Sequence, residues 1–128
     1  MIPSDQMEGK AKLFLEFEDR FNIHDSLILC RFYRDIYWDW EYLSEIVEVS
    51  TGIELDEKGL RTVSSTIQNG TRRFNLREGI TSKDDTLPKR FFGEPLGKGG
   101  KTIQRQGLQK MLQDYYALRG WSPEGVPS

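Results

Sequence analysis

Five stretches of this chain set apolar side chains three and four residues apart, the repeat that lines one face of an α-helix. Met7, Ala11, Phe14, Phe17 and Phe21 do so over residues 7–21, with Asp5 as the expected N-cap upstream. The next segment, Leu27 to Tyr37, puts Leu27, Cys30, Tyr33 and Tyr37 on one helical side. Between these two, Asn22 to Ser26 is short, polar and turn-prone, which places Asp25 at a helix end or in a connector. Asp39 is the expected cap of a helix from Trp40 to Ser50 that buries Tyr42, Leu43, Ile46, Val47 and Val49, closed by Gly52. Asp56 and Glu57 open a further helix whose stripe Leu60, Val63, Ile67, Thr71 and Phe74 runs toward Gly79. Gly59 and the pair Asn69-Gly70 weaken it, so an interruption is predicted near 69–70. The last helix runs from Gln104 to Arg119 through Leu108, Met111, Leu112, Tyr115 and Leu118. Gly120 ends it, and Pro123 and Pro127 prevent a restart. Residues 79–103, with glycine at 79, 93, 97, 99 and 100 and proline at 88 and 95, read as a long loop. No stretch sustains the period-two alternation of a half-buried strand. The predicted fold is all-α: a multihelical single domain over residues 1–128 with one long Gly/Pro-containing loop.

A chain of 128 residues has room for one core. Its mean hydropathy of −0.60 is that of a polar protein, and an aromatic content of 12% argues against disorder. The apolar run Leu27 to Cys30 is four residues long, far short of a membrane span. Met1 to Asp5 shows no basic region followed by an apolar stretch, and one cysteine cannot make an internal disulfide; the expectation is a cytoplasmic protein.

Charge is unevenly spread. Residues 1–70 hold 7 Lys and Arg against 14 Asp and Glu, a balance of −7, whereas residues 71–128 hold 11 against 6, a balance of +5. Two such halves either compensate each other on a solvated surface or face a partner. The basic run Arg72-Arg73-Phe74-Asn75-Leu76-Arg77 raises the question of nucleic acid. A pI near 5.5 and the lack of any zinc-finger or RNA-binding motif argue against it, so no nucleic acid is expected as partner.

The residues with most chemistry are Asp25 and Cys30, five apart in Asp25-Ser26-Leu27-Ile28-Leu29-Cys30. A carboxylate accepts two parallel N–H bonds from an aminated heterocycle. A thiolate is the preferred ligand of iron–sulfur iron, but one thiolate cannot hold a cluster. Alone, Cys30 reads as a small buried hydrophobe and Asp25 as the N-cap of a helix starting near Leu27. In that position the helix dipole would favour the charged carboxylate. His24, the sole histidine, reads as a satisfied surface residue rather than a proton-transfer group. Asp84-Asp85 reads as a turn organiser, and Arg73, Arg77, Lys83 and Lys89 as anchors for the loop-rich segment. The aromatic run Phe32, Tyr33, Tyr37, Trp38, Trp40 and Tyr42 reads as mainly core with an exposed remainder.

The run Asp25 to Phe32 resembles the C-terminal cofactor motif of the tungsten-containing aldehyde ferredoxin oxidoreductases. In family order there follow Thr51-Gly52, Arg73 to Thr81, Lys83 to Phe91, Met111-Leu112, Asp114-Tyr115-Tyr116, Leu118-Arg119-Gly120-Trp121 and Gly125-Val126-Pro127. The resemblance extends from about residue 10 to the C-terminus. It implies a helical domain that covers, with a second one, a tungsten ion held between two pterin dithiolenes (tungstopterin, a tungsten bis-molybdopterin) beside a [4Fe–4S] cluster. The implied reaction oxidises aldehydes to acids and passes electrons to ferredoxin. By resemblance, Asp25 hydrogen-bonds a pterin ring, Leu29 lies beside the cluster ligand and Cys30 is the fourth cluster cysteine. The other three cysteines belong to an N-terminal catalytic portion outside this chain, which is therefore the implied partner. Cofactor-binding groups are then spread over more than this polypeptide, so the isolated chain is expected to bind neither cofactor and to be inactive.

One position departs from the family pattern Asp-x-x-Gly-Leu-Cys: Ile28 stands at the glycine. Either the backbone there is ordinary and glycine dispensable, or the chain has moved away from cofactor binding toward a stand-alone helical interaction module.

Overall fold

The computed structural model describes residues 7–95 and 100–128; the expected cap Asp5 and the loop glycines 97 and 99 lie outside the described residues. Among the described residues the fold is all-α. The elements are α1 (Lys10–Ser26), a 3-10 turn (Arg31–Tyr33), α2 (Trp40–Thr51), α3 (Glu57–Arg77), the single-turn α4 (Arg90–Gly93) and α5 (Arg105–Arg119). The only extended pairing among them is an isolated bridge between Trp121 and Pro127. The chain divides into two compact units: Glu16–Thr71, and the segments up to Leu15 and from Arg72 to Ser128. The long helices α1 and α3 each contribute to both.

In the Glu16–Thr71 unit the core is Ile23, Trp40, Leu43, Val47 and Leu60, with Leu27, Leu29 and Leu55 packed against it. α2 forms as its sequence predicts. Asp39 occupies the N-cap with extended backbone, and Gly52, in the left-handed region at φ 75°, returns its N–H to the Glu48 carbonyl. Of the residues expected to be buried on α2, Leu43 and Val47 are; Tyr42 and Val49 face solvent. Trp40 lies between two guanidinium groups, Arg20 at 5.0 Å and Arg61 at 4.6 Å from its ring.

The α3 stripe differs from the prediction. The interior face carries Leu60 and Ser64, whereas Val63 is exposed. Ser64 donates to the Asp19 carboxylate at 2.7 Å and accepts from Asn22 at 2.8 Å, and Gln68 donates to Asn22 Oδ1 at 2.9 Å. Arg61 bridges Glu16 at 2.8 Å and Asp19 at 3.6 Å. The hydrogen bond it donates to Glu16 is the main reason its guanidinium is held above its ordinary pKa. α1 and α3 are thus joined here by a polar seam, in which burial is tolerated because each donor finds an acceptor. The predicted break at Asn69-Gly70 is absent: α3 runs through it. Gly70 is solvent-exposed with open space where a Cβ would stand, so it costs only the usual helix-interior penalty of about 1 kcal/mol.

The second unit is organised by Arg72, buried to 8% exposure. Its Nη1 and Nη2 donate to the two oxygens of Asp85 at 2.9 and 2.6 Å, and its Nε donates to the Gly125 carbonyl at 2.8 Å. The Tyr116 hydroxyl, on α5, donates to the same Asp85. Burial first, and then this bond to an anion, push the Tyr116 pKa up to about 12. At Gly125, φ is 72° and a Cβ would lie 2.6 Å from Arg72 Nη2, so only glycine fits. Asp84 organises the turn as expected, accepting the Thr81 N–H at 2.8 Å.

Candidate functional site

Two of the sequence expectations fail together between residues 22 and 37. α1 does not end near Phe21 but continues through Ser26, and no helix forms from Leu27 to Tyr37. The extra turn is kept by what it buries: Ile23 is 2% and His24 0% exposed. His24 is therefore no surface residue. Its ring is surrounded by Phe21, Tyr37 and Trp38, its Nε2 lies 3.3 Å from the Tyr37 carbonyl, and Nδ1 has no hydrogen-bond partner. Burial holds its pKa below the ordinary histidine value, outweighing the Tyr37 hydrogen bond.

The helix then stops in a defined way. The Leu29 N–H reaches back to the His24 carbonyl at 2.9 Å, and the Ile28 N–H to the Asp25 carbonyl at 3.1 Å. These six-to-one and five-to-two bonds make a Schellman ending, with Ile28 at the position that must be left-handed. Ile28 has φ 57° and is the one non-glycine residue with positive φ among those described. This is a conformation that glycine adopts without strain, and here isoleucine holds it. The backbone at this position is left-handed rather than ordinary, and isoleucine adopts it without loss of the turn that presents Asp25 and Cys30.

Asp25 accordingly lies in the last turn of α1, not at an N-terminus. There the helix dipole presents negative partial charge, which opposes a carboxylate. A cation compensates: Arg31 donates from Nε to Asp25 Oδ1 at 3.1 Å and from Nη2 to Oδ2 at 2.5 Å. The guanidinium lies 4.5 Å from the Phe21 ring centroid, and its hydrogen bonding to Asp25 is the first cause of its raised pKa. Leu29 turns inward against the core. Cys30 turns outward as a free, exposed thiol at the N-cap of the 3-10 turn. Around it, Ile28 and Phe32 are both 92% exposed, and Tyr33 and Ile36 are also exposed. Alternation about one tight turn therefore anchors Leu29 and presents Asp25 and Cys30 to the outside. Among the described residues no cluster of three or more His, Cys, Asp or Glu side chains is arranged to hold a metal ion.

The match to known proteins extends over nearly the whole chain. The family model described as aldehyde ferredoxin oxidoreductase, domains 2 and 3, matches residues 2–128. This chain belongs to the aldehyde ferredoxin oxidoreductase family. Curated relatives of the family that it resembles are named tungsten-containing aldehyde ferredoxin oxidoreductase. That of Pyrococcus furiosus is 33% identical over 126 residues, and those of Thermococcus kodakarensis and Pyrococcus horikoshii are each 32% identical over 126 residues. Each alignment takes in 98% of this chain and 21% of the relative, so the chain spans about a fifth of their length. No helix among the described residues is long and apolar enough to cross a membrane.

Several residues that shape the two units, each within its own, carried no distinctive signal in the sequence. Arg31 is one of several arginines near the motif. Arg72 sits in a basic run beside Arg73 and Arg77, and its spacing from Leu60 and Ser64, which continues the interior face of α3, is the signal that marks it as interior. Asp19 and Ser64 are polar and lie off the apolar stripes of α1 and α3; the complementary pairs Asp19/Asn22 and Ser64/Gln68 at helical spacing are the signal that marks them.

Proposed function

We propose that this chain is the C-terminal helical domain, as a fragment or split subunit, of a tungstopterin iron–sulfur aldehyde:ferredoxin oxidoreductase. In this reading Asp25 accepts hydrogen bonds from a pterin ring, Leu29 holds the turn on its core, and Cys30 supplies one thiolate to a [4Fe–4S] cluster. The observation that carries it is the turn itself: one Schellman ending, kept despite isoleucine, presents an acid and a thiol outward from a fixed base. The donor set fits the cofactors in kind. Asp25 accepts a planar two-pronged donor from Arg31, the same hydrogen-bond pattern an aminated pterin edge offers. Cys30 is exposed, as a ligand to a cluster completed by other cysteines must be. When bound, the tungsten centre and cluster would supply oxidation of an aldehyde to its acid and electron transfer toward ferredoxin. The contribution of this chain is to hold, orient and shield: the apolar side chains of Ile28, Phe32 and Ile36 would be covered by the remaining portion and keep water from the thiolate.

Co-purification followed by iron and acid-labile sulfide analysis tests this reading. A partner carrying a Cys-x-x-Cys-x-x-x-Cys motif should be recovered, and Cys30→Ser should lose or downgrade the cluster in the joined protein. A cluster with unchanged electron transfer to ferredoxin after that substitution refutes the ligand role. Recovery of unrelated proteins alone would favour an interaction module.

A further inference from the structure

Arg31 stands where the proposed ligand would act. Its guanidinium takes both oxygens of Asp25 in parallel N–H bonds, one from Nε and one from Nη2. That is the edge a 2-amino-4-oxo heterocycle would use. We infer that Arg31 is a positioning residue of this site: it occupies Asp25 as a stand-in when no ring is present and must withdraw for one to bind.

Three observations support the exchange. The partners are six residues apart in sequence, on either side of the Schellman turn, so its hydrogen-bonded backbone holds them near each other. Both side chains are more than half exposed, at 56% and 54%, and an ion pair so open to water is weak and easily exchanged. Phe21 provides a ring face 4.5 Å from the guanidinium, a surface against which the planar group can slide while keeping its cation–π contact. Meanwhile the cation offsets a carboxylate that the helix terminus otherwise disfavours, so the turn stays intact without its ligand. Lysine would not serve equally, because a point charge cannot fill both oxygens with one planar fork.

The inference rests on Asp25 being the pterin anchor, and the experiment separates the two ideas. Chemical-shift titration of the labelled full chain with free pterin (2-amino-4-oxopteridine) at millimolar concentration detects the two-bond contact at this edge, weak as it is, although the intact cofactor, whose binding groups are spread over more than this chain, is not retained. The Arg31 Nε–H signal of the unliganded protein reports the stand-in contact directly. The expected result is a distinct Arg31 Nε–H signal that Asp25→Asn abolishes and pterin bleaches, with pterin bound about two- to fivefold more tightly by Arg31→Gln than by the unaltered chain. Equal pterin affinity with and without Arg31, still dependent on Asp25, overturns the stand-in role and leaves the anchor reading in force. Pterin shifts that persist in Asp25→Asn, or none in Arg31→Gln, overturn the anchor reading and the inference with it.

Discussion

Replacing Ile28 by glycine should make this protein more stable. An L-residue in the left-handed region carries about 1–2 kcal/mol of steric strain, and a β-branched side chain lies toward the upper end. Ile28 sits there at φ 57°, and the Schellman bonds on either side of it leave the backbone no alternative. Its side chain is 92% exposed, so truncation forfeits almost no buried area. Against the relief stands the greater freedom of glycine in the unfolded chain, worth about 0.4–1 kcal/mol. The net gain is about 1 kcal/mol. With an unfolding entropy of roughly 2.1 cal/mol/K per residue, that shifts Tm upward by about 4 °C for a chain of this length. Urea unfolding and calorimetry on Ile28→Gly measure both quantities. Ile28→Ala is the control, since it removes the same exposed hydrocarbon but keeps a Cβ at positive φ, and it should recover only a minor part of the gain. If Ile28→Gly is neutral or destabilising, or if alanine does as well as glycine, the strain argument is wrong.

Asp85→Ala should destabilise by about 3 kcal/mol in urea unfolding, because it strands the buried Arg72 guanidinium without its carboxylate. In the same variant Tyr116, pushed up to about 12 in part by its bond to Asp85, should ionise at lower pH in a titration followed at 295 nm. The depressed pKa of His24 predicts acid sensitivity with a definite sign: the unfolded state takes up the proton first, so stability is full above the unfolded histidine value near 6.5 and declines as pH falls below it. Stability measured from pH 7 to 5, above the range where carboxylates titrate, should slope less in His24→Gln; an unchanged slope would reassign the effect. The purified chain by itself should show no thiolate–iron absorption near roughly 400 nm, and stoichiometric iron and sulfide in it would contradict a cluster shared with another portion.

The sequence made some elements plain and hid others for physical reasons. α2 and α5 could be read because their ends carry conventional punctuation, Asp39 before one and Gly52 and Gly120 after the two. The end of α1 could not, since its terminator is an isoleucine, a residue that ordinarily argues for extended or helical backbone. The polar run Asn22 to Ser26 set the predicted boundary a turn too early, and with no glycine to mark the true end a helix was expected over 27–37 that does not exist, which reversed the expected helix end at Asp25. The family motif nevertheless located Asp25, Leu29 and Cys30 within one turn, because short-range spacing survives errors in the surrounding element. Polar residues inside the structure were least legible: Asp19, Ser64 and Arg72 are interior only by virtue of partners more than ten residues away.

Helices that meet through oily side chains can creep past one another, since one aliphatic contact is much like the next. α1 and α3 lack that licence within the Glu16–Thr71 unit. Asp19, Asn22, Ser64 and Gln68 interlock donor to acceptor, and a displacement of one helical turn, about 5.4 Å, would break all three bonds at once. The seam therefore works as a ratchet tooth, fixing where along α3 the chain leaves α1, and with it the height from which the outward-facing sulfur is launched.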